Sequence, residues 1–440
     1  MKQPILVASI ASAALAGLLF GFDTAVISGV TGELRSVFGL SPLSMGITVA
    51  SALTGTFLGA ISGGLMGDRY GSRDSLLLTA VLYFISGLGC ATSWSWYSLV
   101  AFRFIGGLAI GGTSVLAPVY ISEISAPRRR GMLVGLFQLN IVIGILVAYL
   151  SNFLIGQLEL GNAEWRWKLA ITIAPAVLLF VMLSSIPHSP RWLAAKGRVE
   201  EALNALRRIG MNDAQAALLA MQQTSVATIS GLSWQQHRKP ILLAVGIAMF
   251  NQLAGINAIL YYLNDIFAAA GFGKVSSDLQ AVAIGATNLL FTIIAMLFID
   301  RIGRKRLLLI GAVGMTVCLA GVATIMAADQ WHEILIWTLI GFIAFFAFSQ
   351  GAVIWVYISE IFPTAVRARG QSIGSATHWL MNAIIAFAFP LIAAHSKAMP
   401  FAFFAAMMLL QFFVVLWFFP ETKGLPLEEV DEVMRAHKPA

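Results

Sequence analysis

Along the chain, long apolar runs alternate with short polar punctuation. Twelve runs stand out, at 5–30, 43–66, 75–94, 97–120, 131–155, 167–186, 240–267, 278–299, 306–327, 333–358, 370–394 and 399–419. Each is long enough to carry a helix across ~30 Å of hydrocarbon. The pattern predicts an all-α membrane protein with twelve transmembrane helices. Its longest polar stretch parts them six and six. The expected domains are an N-terminal bundle over 1–187, a linker over 188–239, a C-terminal bundle over 240–419 and a tail over 420–440. Inside the linker, Val199, Ala202, Leu203, Leu206 and Ile209 recur at helical spacing, with Glu200, Glu201, Arg207 and Arg208 on the opposite face. That spacing describes an amphipathic surface helix.

Composition and charge sharpen this picture. Hydrophobic residues make up 58% of the 440 and charged ones only 11%, where a soluble domain carries roughly 25%. A soluble enzyme is excluded. The 28 Lys and Arg residues then orient the spans. With a cytoplasmic N-terminus, only Arg35, Arg166, Lys168, Lys274 and Lys397 fall in outer loops, Arg103 falls within a span, and the rest lie on the inner side. The positive-inside rule therefore puts both termini in the cytoplasm and makes the linker an intracellular helical segment. The net charge of +7 is a topology signal, spread over separate loops, and not the groove of a nucleic-acid binder. Ala11-Ser12-Ala13 resembles a signal-peptide cleavage box, but the apolar run continues well past it, so the first span is expected to be retained. Cys90 and Cys318 both fall within spans and suggest neither a disulfide framework nor a metal site.

The two halves repeat one another. Asp68-Arg69-Tyr70-Gly71-Ser72-Arg73 after the second span is answered by Asp300-Arg301-Ile302-Gly303-Arg304-Lys305 after the eighth. Tyr120-Ile121-Ser122-Glu123-Ile124, ending at Arg130-Gly131, is answered by Tyr357-Ile358-Ser359-Glu360-Ile361, ending at Arg369-Gly370. Pro187 after the sixth span is answered by Pro420 after the twelfth, and all three pairs keep nearly the same spacing. Six spans per half give both halves one orientation. Such parallel repeats are built into transporters that rock two bundles about a midplane site, although receptors and scaffolds also arise by duplication.

Three groups of residues carry candidate chemistry. Asp23 and Arg103 are the acidic and basic residues deep in apolar spans; charges there are costly, so the two should meet in the bundle interior. They form either a static ion pair or a proton switch, in which Arg103 favours ionised Asp23 and burial favours the protonated form. Asp68, Arg69, Arg73, Glu123, Arg130, Asp300, Arg301, Arg304, Glu360 and Arg369, with Arg367, lie at helix ends, where they can pair across the halves and hold the inner side shut. Gln138, Asn251, Gln252, Asn257, Asn288 and Asn382 lie in the spans with Tyr261, Trp355, His378 and Trp379. Uncharged hydrogen-bonding groups among flat rings suit a neutral, hydroxyl-rich ligand. Gly55, Gly59, Gly63 and Gly67 in the second span, with Gly107 and Gly111 in the fourth, form ridges that permit close helix approach.

These residues together resemble the sugar porter family of the major facilitator superfamily, over essentially the whole chain. The resemblance rests on Gly21-Phe22-Asp23-Thr24-Ala25-Val26-Ile27-Ser28-Gly29, on Arg103 with Gly106-Gly107, and on the paired Asp-Arg-x-Gly loops. It rests equally on Pro187-His188-Ser189-Pro190-Arg191-Trp192-Leu193, Gln252-Leu253-Ala254-Gly255-Ile256-Asn257 and Pro420-Glu421-Thr422-Lys423-Gly424. It implies the major facilitator fold of two six-helix bundles, alternating access and a monosaccharide cargo. By similarity Gln138, Gln252, Asn257, Asn288 and Trp355 match sugar-contacting positions, and Phe20, Tyr261 and Trp379 the aromatic lining. An Asp at the position of Asp23, paired with an Arg, marks the proton-coupled members. The chain departs from the family pattern at Ser72, where Arg is usual, at His188, where Glu is usual, and at Asn251 and His378, both of which border the expected sugar site.

The expected function is monosaccharide transport with proton symport. A uniporter with a structural Asp23–Arg103 pair and a non-transporting sugar sensor are the alternatives. No cofactor beyond the coupling proton and no nucleic-acid partner is expected. The protein is expected to act as a monomer in the bilayer, with compact loops and short tails that suit a bacterial inner membrane.

Overall fold

The computed structural model describes residues 4–125, 130–211, 213–224, 232–362 and 366–423. The expected tail beyond Lys423 and the side chains of Arg130 and Arg367 lie outside the described residues. Twelve helices among the described residues are long and apolar enough to cross a membrane. Spans 1 to 6 are Pro4–Gly29, Pro42–Tyr70, Ser72–Ala91, Trp96–Ile124, Gly135–Gly156 and Gly161–Ser185. Spans 7 to 12 are Trp234–Tyr261, Lys274–Ile302, Arg304–Ala328, His332–Glu360, Arg369–His395 and Met399–Phe418. Their outward residues are apolar: Leu297 and Val317 are each 67% exposed. A water-soluble protein does not present so many large apolar side chains, whereas lipid accepts them.

Several helices overrun the apolar runs that define them. Span 8 continues through Asp300 and Arg301, because backbone hydrogen bonding ignores side-chain polarity, and stops only at Gly303. Gly303 has φ +100° and its counterpart Gly71 has φ +88°, a region that glycine enters without steric cost. A side chain would also crowd a neighbour at both positions. A Cβ at Gly71 would stand 3.0 Å from the Trp192 indole, and one at Gly303 would stand 2.5 Å from the Glu421 carboxylate. The repeated Asp-Arg-x-Gly motif therefore has a local cause at its glycine in both halves.

The chain clusters into two compact units, Met1–Glu33 with Ser51–Thr228, and Leu34–Ala50 with Ile229–Ala440. The first unit carries the linker helices Pro190–Ala195, Val199–Arg208 and Ala214–Thr224. Leu193, Ala202, Ala205, Leu206, Ile209, Ala214 and Leu218 form their core, with Ile5 and Leu6 of span 1 packed against it. The amphipathic helix is present, but its buried face is rotated from the expected one. Ala205 is buried whereas Val199 is 43% exposed, because the neighbouring short helices cover the Ala202–Leu206 side and leave the first turn uncovered.

In the second unit two spans are interrupted. Span 7 runs as a helix over Trp234–Leu253, turns at Gly255 with φ +79°, and resumes over Ile256–Tyr261. Span 10 contains a π-helical stretch, Ala347–Gly351, between His332–Phe346 and Ala352–Glu360. Irregular turns of this kind free backbone groups and re-aim side chains, and π-bulges recur at functional sites. Around them Ile247, Ala248, Val353, Ile354, Tyr357 and Phe419 form a buried core.

Candidate functional site

In the first unit, Arg103 Nη2 of span 4 stands 4.0 Å from Asp23 Oδ2 of span 1, with side-chain exposures of 4% and 18%. The heights of the two residues are fixed by glycines. A Cβ at Gly107 would overlap the Ala52 carbonyl oxygen of span 2, and one at Gly111 the Thr56 carbonyl oxygen. Gly55 and Gly59 meet the Phe104 and Leu108 oxygens from the other side, so the two glycine ridges face one another in direct backbone contact. Span 1 sits on span 5 in the same way, through Gly17 on Phe137, Gly21 on Ile141 and Gly144 on Leu18. Gln138, between Phe137 and Ile141, and Phe20 are both half-buried. Tyr83 and Cys90 of span 3 are buried, and Thr113 Oγ1 donates to Thr79 Oγ1 at 3.1 Å.

In the second unit the interruption of span 7 gathers the amides. Gln252 Nε2 donates to Asn251 Oδ1 at 3.0 Å, and Asn257 Nδ2, just beyond the turn at Gly255, donates to Gln252 Oε1 at 2.9 Å. Gln252 Nε2 also lies 3.1 and 3.2 Å from the two ring nitrogens of His378 in span 11. An amide N–H can only donate, so the ring meets it with a lone pair. Trp355 and Trp379 flank His378 with ring centroids at 5.2 and 5.1 Å. Tyr261 and Asn382 form a separate pair, the amide donating to the phenol oxygen at 3.1 Å. Asn288 accepts from Thr292 Oγ1 at 3.5 Å on span 8. The structure thus brings Asn251, Gln252, Asn257, His378, Trp355 and Trp379 into one cluster and puts Tyr261–Asn382 and Asn288 in contacts of their own.

The paired loops build two latches of unequal strength. In the second unit Arg304 grips Glu360 with two hydrogen bonds, Nη2 to Oε1 at 2.7 Å and Nε to Oε2 at 3.0 Å, and meets Asp300 at 2.9 Å. Thr422 Oγ1 donates to Glu360 Oε2 at 2.6 Å, and Glu421 Oε1 accepts from the Arg304 backbone N–H at 2.8 Å. In the first unit Ser72 holds the position of Arg304, and its hydroxyl donates to Glu123 Oε2 at 3.1 Å. Tyr120 OH donates to the Pro187 carbonyl at 2.7 Å, as Tyr357 OH does to Pro420 at 3.2 Å. Not every expected latch residue joins. Arg73 binds the Leu183 and Ser184 carbonyls and Asp74, Asp68 accepts from Trp192 Nε1 only through its backbone oxygen, and Arg69 lies over the Tyr70 ring. Arg301 accepts from Lys423 through its carbonyl, and Arg369 is exposed.

His188, beyond the end of span 6, stacks on Trp192 with ring centroids 5.9 Å apart and brings Nε2 to 3.2 Å from Arg73 Nη1. Burial pushes its pKa below the ordinary histidine value, opposed by the Asp74 carboxylate and reinforced by Arg73.

Two buried polar features escaped the hydropathy pattern. Gln350, within the π-helical stretch, donates to Gln411 of span 12, both fully buried; their positions in apolar runs were the only signal. Lys168, expected in an outer loop, is buried completely and pairs with Glu164 at 2.8 Å. The i,i+4 spacing of the two was readable, but their depth was not.

A family model described as sugar (and other) transporter matches residues 9–434. The arabinose-proton symporter of Bacillus subtilis (strain 168) is 37% identical over 96% of this chain and 93% of its own length. The D-xylose-proton symporter of Escherichia coli (strain K12) is 34% identical over 95% and 94%. Among solved structures, the inward open conformation of the xylose transporter XylE from E. coli superposes with a TM-score of 0.87 at 34% identity, over 97% of this chain and 99% of that one. The same transporter bound to 6-bromo-6-deoxy-D-glucose superposes with a TM-score of 0.79 at 32% identity, over 99% and 100%.

Proposed function

The chain belongs to the sugar (and other) transporter family, a family of multi-pass membrane transporters and not enzymes, and from that premise we propose that it carries a monosaccharide, a hexose or pentose, by alternating access with a co-transported proton. The sugar reading is carried by the continuous hydrogen-bonded chain Asn251–Gln252–Asn257 with His378. These groups are neutral, offer both donors and acceptors, and are paired with one another. Sugar hydroxyls can replace these mutual bonds one for one, and Trp355 and Trp379 can take the apolar faces of the ring. Asn288, Tyr261, Asn382, Phe20 and Gln138 are assigned to the same cargo.

Asp23 is the proton carrier and Arg103 its partner. At 4.0 Å the pair is in loose contact, so ionised and protonated Asp23 are both accommodated without repacking. Relatives named as arabinose- and D-xylose-proton symporters support joining sugar and proton in one cycle. The termini and both latches are assigned to the cytoplasmic side, with the protein working as a monomer in the bilayer and the two expected bundles as its moving parts. The pairs of each latch brace their own unit on that side.

Uptake of a labelled monosaccharide panel into vesicles, with and without an imposed inward proton gradient, tests this. Accumulation above equilibrium only with the gradient is expected for at least one sugar. Uptake that merely equilibrates makes the protein a uniporter, and no uptake of any sugar overturns the substrate class.

A further inference from the structure

The Glu164–Lys168 pair of the first unit has no part in the mechanism above. Lys168 Nζ lies 2.8 Å from Glu164 Oε1, and the two side chains are 0% and 6% exposed. The same ammonium donates to the Gly29 carbonyl at 2.9 Å. Two residues earlier, Arg166 Nη1 donates to the Ala91 carbonyl at 2.8 Å and lies over the Trp165 ring at 4.3 Å. The short helix Glu164–Ala170 at the start of span 6 therefore sends one cation to the end of span 1 and another to the end of span 3. Helix ends leave carbonyls without intrahelical partners and carry partial negative charge, so cations belong there. Two basic residues expected in an outer loop are thus committed to capping.

The end of span 1 has particular need of a cap. The α-helix stops at Val26 and tightens into a 3-10 turn over Ile27–Gly29. Val26 O accepts from Asn152 Nδ2 of span 5 at 3.2 Å, and Gly29 O accepts from Lys168. A Cβ at Gly29 would overlap the Asn152 amide, and one at Gly21 would overlap the Ile141 carbonyl oxygen. Asp23 is consequently held between a backbone contact on its near side and two borrowed caps on its far side.

We propose that Lys168, fixed by Glu164, is a positioning residue for the proton carrier: it pins the far end of span 1 and so sets how closely Asp23 approaches Arg103. The inference rests on the proposed proton symport. Stability alone does not account for the pair. Full burial of an ammonium is expensive, and a well-packed apolar side chain in its place is often as stable or more so. The Asp23–Arg103 contact spans two helices at 4.0 Å, so a displacement of span 1 changes the distance between the two charges directly. Besides Arg103, the titratable groups that face Asp23 are Tyr83 and Cys90 on span 3.

The test compares Lys168→Met, Lys168→Arg and the double variant Glu164→Gln/Lys168→Met in reconstituted vesicles, reading sugar counterflow without a gradient and gradient-driven uptake across external pH. For Lys168→Met the expected result is counterflow within about twofold of the parent, gradient-driven uptake down about tenfold, and a displaced pH of half-maximal uptake, as misplacement of a reacting group predicts. Lys168→Arg restores most of the uptake and the parental pH profile. The double variant, which leaves no unpaired carboxylate, stays like Lys168→Met. A parental pH profile in Lys168→Met overturns the proposal, and so does recovery in the double variant, which would lay the defect on the uncompensated Glu164. Loss of counterflow in both Met variants overturns it as well, because the residue then serves folding. If the parent itself shows no gradient-dependent accumulation, the symport reading falls first and this inference with it.

Discussion

The two units share six spans, a glycine-turned loop and a tyrosine that caps the proline after the last span, yet their interiors are built from different chemistry. The first buries charge: Asp23 with Arg103, and Glu164 with Lys168. The second gathers neutral amides and an imidazole at an interrupted helix, with Gln252 at the centre. Charges held in apolar surroundings respond to proton activity; paired amides respond to hydroxyl groups. Duplication therefore supplied one scaffold twice, and the substitutions inside it gave the two interiors different chemistry; under the proposed symport, coupling falls to the first and recognition to the second. The helices follow this division. Spans 1 and 4 are seated by glycine-to-backbone contacts, which fix charges in register, whereas spans 7 and 10 are broken where side chains must be presented.

The most severe way to break this comparison is to exchange the losses. Asp23→Asn is expected to reduce gradient-driven accumulation to the equilibrium value while counterflow survives, because the amide cluster is untouched. Gln252→Ala removes the centre of that cluster and leaves Asn251, Asn257 and His378 without their common partner. It is expected to lower kcat/KM for sugar by about 100-fold in counterflow and accumulation alike, since unpaired buried polar groups reject the ligand. Vesicle assays of both variants decide the matter. Equal loss of counterflow in Asp23→Asn would mean that the two interiors do not divide the work.

A smaller effect separates the latches. Arg304→Ala leaves Glu360 held by Thr422 and is expected to destabilise the protein by about 3 kcal/mol, as removal of one member of a buried ion pair does. Ser72→Ala removes one hydroxyl–carboxylate hydrogen bond to Glu123 and should cost about 1.5 kcal/mol. Thermal unfolding in detergent, monitored for both, gives the ratio. Comparable losses would show that the serine latch depends on contacts beyond this bond.

Much of this was legible in the amino-acid pattern, for physical reasons that also mark its limit. Spans are long and their apolar character is local, so all twelve could be read in order. The Asp-Arg-x-Gly repeat is legible because glycine answers a backbone demand that Gly71 and Gly303 both face. The amides could be grouped by type, since polar side chains are costly in any apolar run. Which amide meets which could not, because Gln252–His378 and Tyr261–Asn382 join residues far apart in the chain. Lys168 was misplaced for a related reason. A hydropathy window averages over neighbours, and Arg166, Trp167 and Lys168 resemble an interfacial loop until the carbonyls of Gly29 and Ala91 are seen to need donors. The turn at Gly255 and the π-helical stretch at 347–351 are likewise tertiary in origin and leave no periodic trace.

The smallest expected effect concerns His188, which gives the first latch region an imidazole where the second has the carboxylate of Glu421 at the matching position. The groups facing it are Asp74 and Arg73 from span 3, and Arg198 and Glu201 from the linker. Burial is the largest influence and, with Arg73, disfavours the imidazolium, so the folded protein binds this proton less readily than the unfolded chain does. The sign follows from linkage. As pH falls through the ordinary histidine value of 6.5, the unfolded chain takes up the proton first, so stability is lost from there downward to the lower value of the folded state. His188→Gln cannot titrate and should remove that part of the loss. The difference in Tm between pH 7.5 and pH 5.5 is expected to shrink by about 1–2 °C, because solvent screens a half-buried ring. An unchanged difference would mean that Arg73 and Asp74 rearrange with the proton and offset its effect.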